Sequence, residues 1–129
     1  MSEASPLKRV LDMSYEEALT KVPEALKSEG FGVLTEIDVK ATLKAKIDVE
    51  FRPYKILGAC NPPLAHQALS ADLDVGLMLP CNVVVYADDD GKAVVQAIDP
   101  TQTLAAANPK LVEVAKSVRD KLALVVSRI

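Results

Sequence analysis

The side chains best suited to chemistry lie close together in residues 58–69, which read GACNPPLAHQAL. This stretch holds His66, the one histidine of the chain, and Cys60, one of two cysteines; the other is Cys81. A thiol beside an imidazole can act as a nucleophile with its base, and the same groups also bind metal ions. The stretch is therefore either a reactive site or a joint between two structural elements.

In the nucleophile interpretation, Cys60 precedes the N-terminus of a predicted helix, where the helix dipole favours the thiolate form. His66 would then accept the proton from the thiol. In the simpler interpretation both cysteines are small buried apolar side chains, which is the usual state of free cysteine. We rank the simpler interpretation first and keep a thiol enzyme as an alternative.

Two other kinds of site are ranked lower. A metal site formed by Cys60, His66 and Cys81 lacks the paired-cysteine spacing that is typical of zinc sites. An anion site at the helix start is disfavoured because Pro62 and Pro63 have no backbone N–H to offer. The sequence contains no glycine-rich phosphate loop and no serine nucleophile elbow, and we predict no cofactor.

The structural interpretation treats CNPP as the joint between a strand and a helix. Asn61 is predicted to cap a helix that begins at Pro62 and extends to Leu73. Gly58 has no side chain and is predicted to let a neighbouring element approach the strand closely. We expect this joint to form the wall of a ligand-binding cleft whose candidate residues are Arg52, Tyr54, Cys60, Asn61, His66 and Cys81.

Two arrangements would bring the candidate residues together. If the strand that ends at Cys60 and the strand that begins at Cys81 are antiparallel neighbours, the two thiols lie close to each other. On the predicted helix, His66 shares a stripe with Leu69 and Leu73, so we expect it to lean towards the apolar side. Neither arrangement identifies a catalytic residue.

Apolar periodicity and turn signals predict about five strands and four helices. The strands are predicted at PLKRVLDM, FGVLTEI, YKILGAC, CNVVVYA and AVVQAI, and the last two form a hairpin through DDDGK. The helices are predicted at SYEEALTKVPEALKSEG, at DVKATLKAKIDV, at residues 62–73 and from Asn108 to the end of the chain. DVGLMLP is expected to be a connector with a short extended piece, and Asp99-Pro100 is expected to end the sheet.

The order of these elements predicts an α+β fold in one domain, residues 1–129, with an antiparallel sheet and helices mainly on one face. Ser14 and Glu17 form a capping-box pattern at the start of the first helix, and Gly30 is a helix stop. CNVVVYA and AVVQAI are apolar on both faces, which favours a partner subunit or a ligand on the open face of the sheet.

Composition disfavours several classes of function. Half of the 129 residues are apolar, the net charge is −3, and basic residues alternate with acidic ones, so we predict no nucleic-acid partner. No apolar run approaches the roughly 20 residues of a membrane span, and MSEASPLKRVLDMS lacks the apolar segment of a signal peptide. We expect a cytoplasmic protein with reduced cysteines and no membrane partner.

The strings FRPYKILGACNPPLAHQAL and GLMLPCNVVVY resemble a bacterial and archaeal family known as domain of unknown function 302. The resemblance extends from about Tyr15 to the last helix. It implies a fold similar to that of the TATA-binding protein, with a curved antiparallel sheet of about five strands backed by helices, and a homodimer. It assigns no catalytic residue. Together with the residues, it leads us to expect a homodimeric module that binds a small ligand or a partner without catalysis of its own. The alternative is a thiol- or metal-dependent enzyme.

Overall fold

The structure is a computed structural model that describes residues 5–129. Its strands are β1 (Lys8–Val10), β2 (Gly32–Asp38), β3 (Tyr54–Cys60), β4 (Cys81–Ala87) and β5 (Ala93–Ala97). Its α-helices are α1 (Tyr15–Ser28), α2 (Val39–Ile47), α3 (Pro62–Ala71), α4 (Pro100–Ala107) and α5 (Val112–Ser127). Two short 3-10 helices, Leu73–Met78 and Pro109–Leu111, connect them.

The strands form one antiparallel sheet in the order β1-β5-β4-β3-β2. In its centre Leu57 pairs with Val83, and Val83 pairs with Ala97. Paired residues point to the same face of a sheet, and all three side chains are buried. The α+β fold and the antiparallel sheet predicted from the sequence are therefore confirmed.

Helices α1 and α5 cover this buried face. Their apolar stripes join the strands in one core, with Val22 and Leu26 from α1 and Leu122 and Val125 from α5 almost wholly buried. The spacing of these residues at three and four positions places them on one side of each helix. None of the helices within residues 5–129 combines the length and the apolar character needed to cross a membrane.

The first helix ends where the sequence predicts a stop. Gly30 has a φ of 83°, a left-handed conformation that glycine adopts without a steric penalty. Its N–H donates to the carbonyl of Lys27 at 3.0 Å, and the N–H of Phe31 donates to the carbonyl of Leu26 at 3.0 Å. This pair of bonds is a Schellman motif, which directs the chain from α1 into β2.

Three pairs of Asn or Asp followed by Pro begin helices in the structure: Asn61-Pro62, Asp99-Pro100 and Asn108-Pro109. The sequence prediction for Asp99-Pro100 was incomplete. Asp99-Pro100 ends the sheet as predicted but also begins α4, because the Asp99 carboxylate accepts the N–H of Thr101 at 3.0 Å. The described residues therefore contain five α-helices and not four. The segment after α3 is also different from the expectation, since Leu73–Met78 is a 3-10 helix capped by Asp72 and contains no extended piece.

Gly58 lies where two other groups approach the strand, as predicted. A Cβ added there would lie 2.7 Å from Cγ of Pro80 and would overlap Oγ1 of Thr35. Since real Cβ atoms do not approach other atoms so closely, the absence of a side chain at Gly58 is what lets Pro80 and Thr35 pack against β3.

We expect Gly58→Ala to lower the free energy of unfolding by about 2 kcal/mol, because the added methyl group overpacks a site already filled by the side chains of Thr35 and Pro80. Urea unfolding followed by circular dichroism measures the loss. Gly32→Ala is the matched control, since a Cβ at this glycine of the neighbouring strand meets no atom within 4 Å. Equal effects of the two substitutions would contradict the close approach at Gly58.

Candidate ligand-binding pocket

An apolar pocket of about 240 Å³ lies beside the end of β3 and the start of β4. It occupies the junction of two buried clusters. The larger cluster lies between the sheet and helices α1 and α5, and the smaller one joins α3, α4 and the first part of α5. Leu64 and Leu79 pack against both clusters and also line the pocket.

Small side chains in the wall account for the volume of the pocket. Five positions of the wall carry no more than one heavy atom beyond Cβ, namely Ala59, Cys60, Ala65, Ala68 and Cys81. Protein interiors are normally packed as densely as organic crystals, so larger residues at these positions would fill the volume. The sequence therefore maintains a cavity at this junction by the choice of side chain.

Three of the six residues predicted for the cleft line this pocket: Cys60, Asn61 and Cys81. The two cysteines are neighbours as expected, because β3 and β4 are antiparallel and Ala59 is the direct partner of Cys81. Both are free thiols; Cys60 is partly exposed and Cys81 is buried. Successive side chains of a strand point to opposite faces, so Cys60 and Cys81 approach the pocket from different sides of the sheet.

His66 does not lie where the sequence suggested. Its side chain is exposed and does not line the pocket, whereas Ala68 of the same helix is buried and Leu64 is half-buried. The prediction for His66 was wrong because it assumed a longer helix. The predicted stripe included Leu73, but α3 ends at Ala71 and Leu73 is 85% exposed. Without Leu73, the apolar side of α3 is the side that carries Leu64 and Ala68.

Arg52 and Tyr54 also lie away from the pocket. Tyr54 is at the opposite end of β3 from Cys60, roughly 20 Å away along the strand. Its ring stacks on Tyr86, with ring centroids 5.2 Å apart. Arg52 donates to the carbonyl of Ala87 at 3.1 Å and pairs with Asp89 at 3.0 Å. Both residues therefore hold the start of β3 against the hairpin between β4 and β5.

The positions of Cys60, His66 and Cys81 bear on two alternatives, a metal-dependent enzyme and a thiol enzyme. Within residues 5–129, no group of three or more His, Cys, Asp or Glu side chains is arranged to hold a metal ion, so Cys60, His66 and Cys81 do not form a metal site. His66 faces solvent outside the pocket that Cys60 lines, and the structure does not pair them as nucleophile and base.

Asn61 is the one buried polar residue within the described part of the chain. Its carbonyl oxygen accepts the N–H of Leu64 at 3.4 Å, which caps α3 as predicted. Its amide group also donates to the backbone carbonyl of Glu29 at 3.1 Å, at the end of α1. One side chain thus satisfies backbone groups at two helix ends and fixes the distance between them.

The remaining wall of the pocket was not found from the sequence. It comes from elements far apart in the chain, including Phe31 after α1, Leu34 of β2, Leu104 of α4 and Val118 of α5. These positions carry the apolar signal of any buried residue, and α4 itself was missed. The Asp99-Pro100 pair, read as a helix start, is the signal that would have located Leu104.

Burial also changes the chemistry of one thiol. It raises the pKa of Cys81 from its ordinary value of 9.0 to about 11, and the negative charge of an ionised Cys60 nearby adds to this rise. A thiolate is therefore disfavoured at Cys81, which behaves as an apolar wall residue at neutral pH. Across residues 5–129, every buried side-chain nitrogen or oxygen atom has a hydrogen-bond partner, so no buried side-chain nitrogen or oxygen in the pocket wall is unpaired.

Fold and pocket together define a small α+β protein with an open antiparallel sheet and an apolar cavity at the junction of two cores. The chain belongs to the family described as Domain of unknown function DUF302, which matches residues 7–129. It is similar to a crystal structure of an uncharacterized conserved DUF302 protein from Bacillus stearothermophilus. The two are 33% identical, with a TM-score of 0.87 over 94% of each chain. No curated protein matches the chain.

The double role of Asn61 predicts an unusual response to Asn61→Asp. Aspartate is as good a helix cap as asparagine, so a simple cap would tolerate the change. Here the carboxylate cannot donate to the carbonyl of Glu29 and would repel it. We expect both Asn61→Asp and Asn61→Ala to lower the free energy of unfolding by about 2 kcal/mol in urea titrations. An aspartate variant as stable as the unsubstituted protein would show that the bond to Glu29 contributes nothing.

The raised pKa of Cys81 predicts a loss of stability at alkaline pH. The unfolded thiol ionises near pH 9 and the folded one near 11, so the unfolded state loses its proton first as the pH rises. The stabilising contribution is complete below pH 9 and declines by about 2–3 kcal/mol on approaching pH 11. Urea unfolding between pH 8 and 11 on the unsubstituted protein and on Cys81→Ala isolates this effect, because other titrating groups are common to both. Parallel pH profiles would refute it.

Proposed function

We propose that this protein binds a small, uncharged, predominantly apolar molecule in the pocket beside Cys60 and Cys81. The observation that carries the proposal is the cavity itself, since a space of about 240 Å³ lined by apolar side chains persists at the meeting point of two otherwise packed clusters. An engineered apolar cavity of about 150 Å³ is known to accept benzene, so this volume suits a ring or a short alkyl chain.

The chemistry of the wall supports an uncharged ligand. Among the lining residues, Asn61 is the only one with a polar amide or a charge to offer, and both of its polar groups already bond to backbone. A charged ligand would lose its hydration without gaining a partner, which costs several kcal/mol. Leu34 lines the pocket and is 67% exposed, which supports an opening to solvent beside this residue.

We also propose that the protein acts as a homodimer in the cytoplasm. The homodimer is implied by the family resemblance and is supported by partly exposed apolar side chains on the open face of the sheet, such as Ile56 and Val84. The two free thiols support a reducing compartment. Likeness to the TATA-binding-protein fold is part of the same proposal, supported by the single five-stranded antiparallel sheet with α1 and α5 on one face.

The ligand proposal is tested by measuring toluene and benzoate binding, with thermal unfolding and methyl NMR spectra as the readouts. Toluene at ten times its Kd should raise the free energy of unfolding by roughly 1.4 kcal/mol and shift the methyl signals of Leu64 and Ala68. Benzoate has a ring of the same size but carries a charge, so we expect no binding at the same concentration.

Two variants of α3 locate the site. Ala68 is buried in the pocket wall, so Ala68→Leu places its added atoms in the cavity and should abolish toluene binding. Ala71→Leu adds the same atoms at an exposed position of the same helix and should leave binding unchanged. Toluene binding that survives Ala68→Leu, or the failure of toluene to bind up to its solubility, would overturn the proposal.

A further inference from the structure

We infer that the free edge of β2 binds an extended segment of a partner protein, and that one large apolar side chain of this segment enters the proposed pocket. The binding mode rests on the proposed function, because it uses the same pocket, and it adds a second class of ligand to the small apolar molecule. The segment extends the sheet by one strand, which is a recurring mode of peptide recognition.

The backbone of β2 selects the kind of partner. β2 stands at the end of the strand order and pairs with β3 on one side. In the part of the chain that the structure describes, no strand pairs with its other side. A strand at the edge of a sheet presents a row of N–H and C=O groups that await partners. An extended polypeptide has the complementary row of donors and acceptors, so its backbone matches this edge.

The edge is also open to solvent. Six of the seven residues of β2 are exposed, and only Val33 is partly buried. A Cβ built on Gly32 meets no atom within 4 Å, so there is free space beside the start of the strand. The opposite edge of the sheet is β1, which has three residues and offers a much shorter template. β2 contains neither proline nor lysine, two residues that commonly protect a free edge.

The pocket reaches this edge at Leu34, which lines the pocket and is 67% exposed. The register between β2 and β3 shifts between Val33 and Thr35, so Leu34 has no direct partner on β3. Directly opposite residues of antiparallel strands have Cβ atoms about 5 Å apart, so a residue that faces Leu34 on an added strand lies beside the pocket.

The volume of the pocket suits a large apolar side chain. It measures about 240 Å³, and an apolar cavity of about 150 Å³ already accepts benzene, the ring of phenylalanine. The backbone of an added strand keeps its hydrogen bonds along β2, so only the apolar side chain has to leave water. The edge and the pocket therefore accept the two chemically different parts of one peptide.

Charge favours a basic segment. β2 carries two carboxylates, Glu36 and Asp38, and no basic residue. Glu36 pairs with Lys55 at 3.1 Å, yet its side chain remains 56% exposed. Opposite charges on neighbouring strands attract each other and like charges repel, so lysine near the apolar residue strengthens binding and glutamate weakens it. The partner is thus an extended segment with one large apolar residue and basic residues on both sides.

The test uses the unsubstituted protein and the capped peptide KTFTK, with NMR titration and amide hydrogen exchange as the readouts. We expect KTFTK to bind with a Kd below about one millimolar, to slow amide exchange in β2, and to be displaced by toluene. KTATK lacks the apolar side chain and ETFTE reverses the charges, so each should bind at least tenfold more weakly. Failure of KTFTK to bind while toluene binds would refute the peptide site and leave the proposed function intact.

Two methylated forms of KTFTK test the pairing with β2. One carries methyl groups on the backbone nitrogens of the first, third and fifth residues, and the other on the second and fourth. Alternate residues of a strand direct their N–H groups to opposite sides, so one form loses its bonds to β2 and the other does not. The two Kd values should differ at least tenfold, and equal values would refute strand addition.

Substitutions in α3 test the pocket end of the peptide. Ala68→Leu fills the pocket and should raise the Kd of KTFTK at least tenfold, whereas Ala71→Leu at an exposed position should leave it unchanged. Equal Kd values for the two variants would refute entry of the phenylalanine ring. Amide exchange in β2 that slows with rising protein concentration, in the absence of peptide, would show that a second copy takes the edge and would refute a peptide partner.

Discussion

The side chain of Asn61 is the interaction on which the arrangement of the pocket depends. It joins the end of α1, through the carbonyl of Glu29, to the start of α3, through the N–H of Leu64. Glu29 is itself held from the other side, because its carboxylate pairs with Arg128 at the end of α5 and lies 3.8 Å from Lys121 in the middle of that helix. Three helix ends are thereby fixed around one corner of the sheet, and the pocket lies beside that corner.

The corner where α1, α3 and α5 meet requires particular residues at Gly30 and at the two prolines that begin α3. The Schellman turn requires a left-handed residue, and Gly30 provides it. A Cβ at Gly30 would also lie only 3.1 Å from the amide nitrogen of Asn61, so a larger residue would push away the group that ties α1 to α3. Prolines at the first two positions of α3 have no N–H to satisfy, which leaves the Asn61 side chain free to serve Leu64. CNPP is therefore a structural joint, and its position makes it one wall of a cavity.

Two surfaces of the molecule lack the packing that the core has, and they differ in kind. The pocket is concave and walled by small side chains, so it suits a molecule of few atoms. Residues 32–53 and the open face of the sheet are extended and bear large apolar side chains that are exposed or partly exposed. Both are compatible with the role of a binding module. Membership of the DUF302 family agrees with the fold and assigns no reaction, and fold by itself does not decide between binding and catalysis.

Local patterns in the sequence determined the strands, four of the five helices and the caps at Ser14 and Asn61, because periodicity and capping depend on residues within one turn of each other. The neighbouring positions of Cys60 and Cys81 followed from the antiparallel pairing. Only the tertiary structure placed His66 in solvent and Tyr54 at the far end of β3. Only the folded chain could show that Asn61 also bonds to Glu29, because that bond joins residues 32 positions apart. The pocket could not be predicted from the sequence either, because its wall combines residues from elements that are far apart in the chain. Its volume depends on how the side chains of those elements pack against each other.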